Sequence, residues 1–67
     1  MNLIEIYVEK TGELLLQLKD GDIPMIGAHV KHSSKEYLTV KVVRDYDNTI
    51  TEEGYTSVKS IVYVKEV

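Results

Sequence analysis

Twenty of the 67 residues are β-branched (nine Val, six Ile and five Thr), against a single Ala. Two heavy atoms on Cβ restrict χ1, which disfavours helix and suits the pleated surface of a sheet. The imbalance runs the length of the chain, so the expected fold is all-β with little or no helix. At this length one domain, residues 1–67, is expected. A domain so small buries only about 60% of its unfolded surface, which sets a modest stability of roughly 3 to 10 kcal/mol.

Periodicity places the strands. Ile4, Ile6 and Val8 alternate with Leu3, Glu5 and Tyr7, and Leu14, Leu16 and Leu18 alternate with Leu15, Gln17 and Lys19. Glu9-Lys10-Thr11-Gly12 between them has turn chemistry, with Gly12 free to take a positive φ, so the two runs predict a hairpin. Asp20-Gly21-Asp22 ends the second strand, and Pro24 bars Ile23-Pro24-Met25 from a central strand. A short strand over Ala28–His32 follows, with Val30 inward and His29 and Lys31 outward, and then a turn at Ser33–Glu36. Tyr37–Asp45 predicts a long strand with Leu38, Val40 and Val42 inward and a bulge at Val43. Asp45–Gly54 reads as a polar loop anchored by Ile50, and Ser57–Lys65 as the last strand. One helical turn within Glu52–Ile61 is disfavoured by Gly54, Thr56, Ser57 and Val58.

Five short strands with tight turns predict a five-stranded antiparallel small barrel or strongly bent sheet. Its expected core is Ile4, Ile6, Val8, Leu14, Leu16, Leu18, Val30, Leu38, Val40, Val42, Val58, Val62 and Val64. Truncating Leu16 or Val40 to Ala is expected to cost about 2 to 4 kcal/mol.

Several chemistries are set aside by residue type. The chain has no Cys, which excludes disulfides, thiolate zinc sites and a cysteine nucleophile. His29 and His32 are three apart, a spacing that on a strand sends the rings to opposite faces, so no metal site is expected. Asp20-Gly21-Asp22 and Asp45-Tyr46-Asp47-Asn48 lack the ligand number and distal Glu of a calcium loop, and their residues are those that turns select. Ser33, Ser34, Ser57 and Ser60 form no nucleophile motif with the histidines, and a pocket of about 300 Å³ or more is not expected in so small a barrel. The expectation is therefore a non-enzyme without cofactors. No apolar run approaches the roughly 20 residues of a membrane span, and Met1–Glu5 lacks the features of a signal peptide. A cytoplasmic protein is expected.

The formal charge of −3 disfavours nucleic acid as the default partner. Six carboxylates, Asp20, Asp22, Asp45, Asp47, Glu52 and Glu53, fall in loops or strand ends. Leu3, Tyr7, Leu15, Met25, Ile26, Tyr37 and Tyr63 have the chemistry of an interface core and are the expected contacts for another protein. A strand edge left open would also invite a second copy, giving a homodimer. The alternative is a small-barrel nucleic-acid binder that uses Tyr37, Lys41 and Arg44, from a stripe that could also draw on Lys31, Lys35 and Lys59.

Ile23-Pro24-Met25-Ile26-Gly27-Ala28-His29-Val30 resembles the loop that leads into a strand in small Src-homology-3-like barrels. Tyr37-Leu38-Thr39-Val40-Lys41-Val42-Val43-Arg44-Asp45-Tyr46-Asp47 and Ile61-Val62-Tyr63-Val64 are similar in style to the strands of such barrels. The whole pattern resembles short bacteriophage and prophage proteins of that fold. The resemblance implies a non-catalytic accessory factor acting on a host protein. The Trp and acidic loop of the proline-recognising signalling domains are missing, so their ligand is not carried over.

Overall fold

The computed structural model describes residues 2–45 and 58–67. Within them lie five strands: β1 (Asn2–Val8), β2 (Leu14–Lys19), β3 (His29–His32), β4 (Lys35–Asp45) and β5 (Val58–Glu66). The described residues contain no helix. The strands form one sheet in the order β2-β1-β5-β4-β3, curled into a half-barrel. The predicted loop at Asp45–Gly54 with Ile50, and the disfavoured turn at Glu52–Ile61, fall mostly outside the described residues, as do Asp47, Glu52 and Glu53.

The sheet is mixed, which corrects the antiparallel expectation. β1 pairs with β5 in parallel, from Asn2 opposite Val58 to Val8 opposite Val64, and the other three pairings are antiparallel. Chain direction explains this. If each strand reverses the one before it, the first and fifth run the same way. Any pairing between those two is then parallel.

The β1–β2 hairpin forms as predicted, except that an extra residue at Leu15 breaks the alternation of β2 and brings Leu15 onto the core. Gly12 supplies a φ of 74°, and its amide donates to the Val8 carbonyl at 2.7 Å. The β3–β4 hairpin is tighter. Ser33 and Ser34, between paired His32 and Lys35, have φ of 51° and 64°. Two positive φ values in a two-residue loop suit Asn-Gly, whereas a Cβ at such positions is strained. Ser33→Asn with Ser34→Gly is therefore expected to stabilise the chain by about 1 to 2 kcal/mol. Urea unfolding checks this, and an unchanged or lower midpoint would contradict it.

Ile4, Ile6, Tyr37, Val62 and Val64 form the buried apolar core on the concave face, and Val8, Leu15, Leu16, Ile23, Val30 and Val42 pack against it. The expected core is corrected at several positions. The bulge in β4 falls at Val40, between Thr39 and Lys41, rather than at Val43. Tyr37 and Thr39 therefore face inward ahead of it, at 5% and 1% exposure, and Val42 faces inward after it. Leu38 and Val40 are only half-buried, as is Val58. Leu18, opposite Ile4, is 39% exposed because β2 is an edge strand with no neighbour beyond it among the described residues, and Leu14 is 46% exposed because Leu15 is an extra residue on β2 that sets Leu14 opposite outward-facing Tyr7.

The link from β2 to β3 carries the chain from one edge of the sheet to the other. Ile23 packs on the core along the way, and Gly21 lies beside Ile4, where a Cβ would make ordinary contact with Ile4 Cδ1 at 3.8 Å. A turn follows in which the Ala28 amide donates to the Met25 carbonyl at 2.9 Å, with Gly27 at φ 92°. Met25 and Ile26 stand out from this turn, each more than two-thirds exposed.

Candidate interaction surfaces

Three surfaces remain once the core is assigned: the convex face, a cleft at one end of the concave face, and the two strand edges.

Glu5 organises the convex face. Strand alternation turns Leu3, Glu5 and Tyr7 away from the core, and the registers set Glu5 between Gln17 of β2 and Ile61 of β5. Its neighbours leave the Glu5 residue only 8% exposed. The Tyr7 hydroxyl donates to Oε1 at 3.1 Å, Gln17 Nε2 donates to Oε2 at 3.1 Å, and Lys59 Nζ lies 3.0 Å from Oε1. Desolvation alone would raise the Glu5 carboxyl. The hydrogen bond and charge of Lys59, with the bonds from Tyr7 and Gln17, outweigh it and hold the group below the ordinary carboxylate value. In return the bond to Glu5 raises the Tyr7 hydroxyl and the Lys59 ammonium above their ordinary values. Beside this cluster the Tyr7 and Tyr63 rings lie 6.1 Å apart, tilted by 30°, and Lys41 Nζ sits 5.7 Å from the Tyr63 centroid. Such a contact is a modest cation–π attraction at a partly exposed site.

At the end of the concave face bounded by the two hairpin turns, the sheet leaves a cleft of about 360 Å³. Val8, Leu14, Leu15 and Tyr37 supply its apolar wall, and Glu13, His32, Lys35 and Glu66 are among its polar lining. Lys35 Nζ and Glu66 Oε1 face each other across 3.6 Å. A cleft of this size exceeds what the sequence led us to expect, because the sheet stops short of a closed barrel. His32 faces this cleft, whereas His29 is exposed and its Nδ1 lies 3.0 Å from Glu36 Oε2. Among the described residues no group of three His, Asp or Glu side chains is arranged to hold a metal ion.

The edges differ in kind. β3 is four residues long, with exposed His29 and Lys31, and charges on a short edge discourage pairing with another chain. β2 reads Leu-Leu-Leu-Gln-Leu-Lys, with no proline and no charge before Lys19. A one-residue irregularity between Ile6 and Tyr7 leaves Leu15 unopposed on β1.

The residues expected to form one protein interface are dispersed. Leu3, Tyr7 and Tyr63 are half-buried on the convex face, Leu15 packs against the core, and Met25 and Ile26 are exposed at their turn. Tyr37 is a core side chain. The nucleic-acid trio does not converge either, since Tyr37 is inside, Lys41 is on the convex face with Tyr63, and Arg44 opposes buried Ser60. Sequence reasoning missed the Glu5–Gln17–Lys59 cluster. Its outward position in β1 was readable, but its partners depend on which strands flank β1. No helix among the described residues is long and apolar enough to cross a membrane. The chain matches no known protein family, no curated protein and no solved structure.

Proposed function

We propose that this chain is a non-enzymatic protein-binding module that receives an extended strand of another protein along the open edge of β2. The observation that carries this reading is the exposure of Leu14 and Leu18 on an edge strand without a guarding charge at its centre. A strand added there would gain main-chain hydrogen bonds along its length and cover both leucines. The apolar wall of the adjoining cleft gives an incoming side chain a place to seat. The Src-homology-3-like resemblance of residues 23–64 supports a small interaction barrel, and its phage character suggests an accessory factor working on a host protein in the cytoplasm.

Nucleic-acid binding is the second reading, and the pairing of Lys41 with Tyr63 beside Tyr7 favours it. On this reading Tyr63 takes the stacking role first expected of Tyr37. Glu5 and Asp45 share that face and oppose a polyanion.

Amide chemical shifts distinguish the two. Heptapeptides selected from a displayed library are expected to shift Leu14–Lys19 and to hold in half-molar salt. Oligothymidylate that shifts Lys41, Lys59 and Tyr63 and is released by salt, or the absence of any peptide that shifts β2, would overturn the strand-binding reading.

A further inference from the structure

We infer that the strand received by β2 carries an arginine whose aliphatic stem lies along the apolar wall of the adjoining cleft and whose guanidinium pairs with Glu13. The inference rests on the strand-binding reading above and names the side chain that such a strand presents at the start of β2.

The local register of β2 prepares the site. Leu14 stands opposite outward-facing Tyr7, so its neighbours Glu13 and Leu15 turn to the concave side, where both line the cleft. Leu15 packs against the core. The main chain of Glu13 is held at both ends: its carbonyl accepts from the Val8 amide at 2.9 Å, and its amide donates to Thr11 Oγ1 at 3.2 Å. A strand laid along the β2 edge turns every second side chain to the concave face, and the one beside Glu13 and Leu15 enters the cleft.

The chemistry of the lining selects that side chain. Its charged residues are Glu13, Lys35 and Glu66, with His32 counted neutral. Lys35 and Glu66 face each other at 3.6 Å, whereas Glu13 has no ion-pair partner among the described residues. One uncompensated negative charge therefore stands beside the apolar wall of Val8, Leu15 and Tyr37. An apolar side chain would cover the wall and leave Glu13 unanswered, and an acidic one would be repelled. A long basic side chain answers both, since its stem lies on apolar surface while its charged head reaches the rim. Arginine suits the site better than lysine, because its planar fork can meet a carboxylate with two parallel bonds and is more weakly hydrated.

Peptide binding to the full chain tests this, read by fluorescence anisotropy at low ionic strength, where screening is weak. Heptapeptides selected from the displayed library are expected to share an arginine. Its replacement by citrulline, which keeps the shape and removes the charge, should weaken binding to the native chain about ten-fold. Glu13→Gln should weaken the arginine peptide by a similar factor and leave the citrulline peptide unaffected. Glu13 is exposed, and a circular-dichroism melt of the variant confirms that the fold is kept. Selected peptides without a shared basic residue, or a citrulline penalty as large on Glu13→Gln as on the native chain, would overturn the inference. If those peptides still shift Leu14–Lys19, the strand-binding reading stands without it. If no peptide binds β2, both fall.

Discussion

Replacing Ile4 with Ala is expected to destabilise the chain by about 3 to 5 kcal/mol, enough to unfold a large fraction of it. Ile4 is fully buried near the middle of the sheet, opposite Leu18 on one side and Ser60 on the other, with the link at Gly21 drawn over its end. The space left by three carbons is closed off by three strands and that link, so the backbone has little room to collapse into it. Val40→Ala makes the control. Sequence alternation put Val40 in the core at a cost like that of Leu16, but it occupies the β4 bulge and is half-buried, so about 1 kcal/mol is expected. Urea unfolding separates the two. Equal costs, or under 1 kcal/mol for Ile4→Ala, would mean that the concave face is not the core.

The second large effect is expected at Glu5, where Glu5→Ala should cost about 2 to 3 kcal/mol. Its carboxylate accepts from Tyr7 and Gln17 and pairs with Lys59, and truncation leaves these donors without their acceptor. Acidity reads the same cluster. The folded carboxyl titrates below its ordinary value of 4.5, so it binds a proton less readily in the folded chain than in the unfolded one. Its contribution is therefore complete above the unfolded value and is lost as pH falls through the folded value. Glu5→Gln keeps the shape but cannot titrate, so the stability gap between native and variant chains should close as pH drops below about 4.5. A gap that stays constant into acid would show that Lys59 does not hold the carboxylate in its charged form. At the alkaline end Lys59 and Tyr7 are raised, so their contributions are present at neutral pH and fade as pH rises through their folded values.

Much of the local structure was legible in the sequence, because local structure follows local pattern. The β1–β2 hairpin needed only two alternating runs and a glycine. The inward face of β1 and the outward His29 and Lys31 followed from period two. What could not be read depended on partners distant along the chain. In Val40-Lys41-Val42-Val43 an apolar residue stands at either phase, so alternation alone cannot say where a bulge slips the register. The pairing of Thr39 with Val64 and of Val42 with Val62 decides it. The parallel contact of β1 with β5 was hidden for a related reason, since pattern gives strands without their neighbours. Leu14 and Leu18 miss the core for two different reasons. Leu18 keeps the core-facing phase opposite Ile4, but a strand at the edge of an unclosed sheet lacks the second neighbour that would bury it, whereas the extra residue at Leu15 breaks the alternation and sets Leu14 opposite outward-facing Tyr7.

The convex cluster was partly visible. A carboxylate at Glu5, between apolar residues in a strand, signals an outward face, but not that Lys59, more than fifty residues away, would sit beside it. The candidate interface suffered most. Residues chosen for their type were scattered over the core, the convex face and a turn, whereas the edge that carries the functional reading lay in residues taken as core.

The central claim is that the β2 edge of this unclosed sheet pairs with another strand, and residue-resolved amide hydrogen exchange tests it most directly. Exchange would be followed on the native chain alone and with an excess of a heptapeptide selected on it from the displayed library. Amides of β2 are expected to exchange more slowly with the peptide than without it, with those of β3 unchanged between the two. Exchange in β2 that ignores the peptide, or slowing that appears along β3 instead, would contradict it.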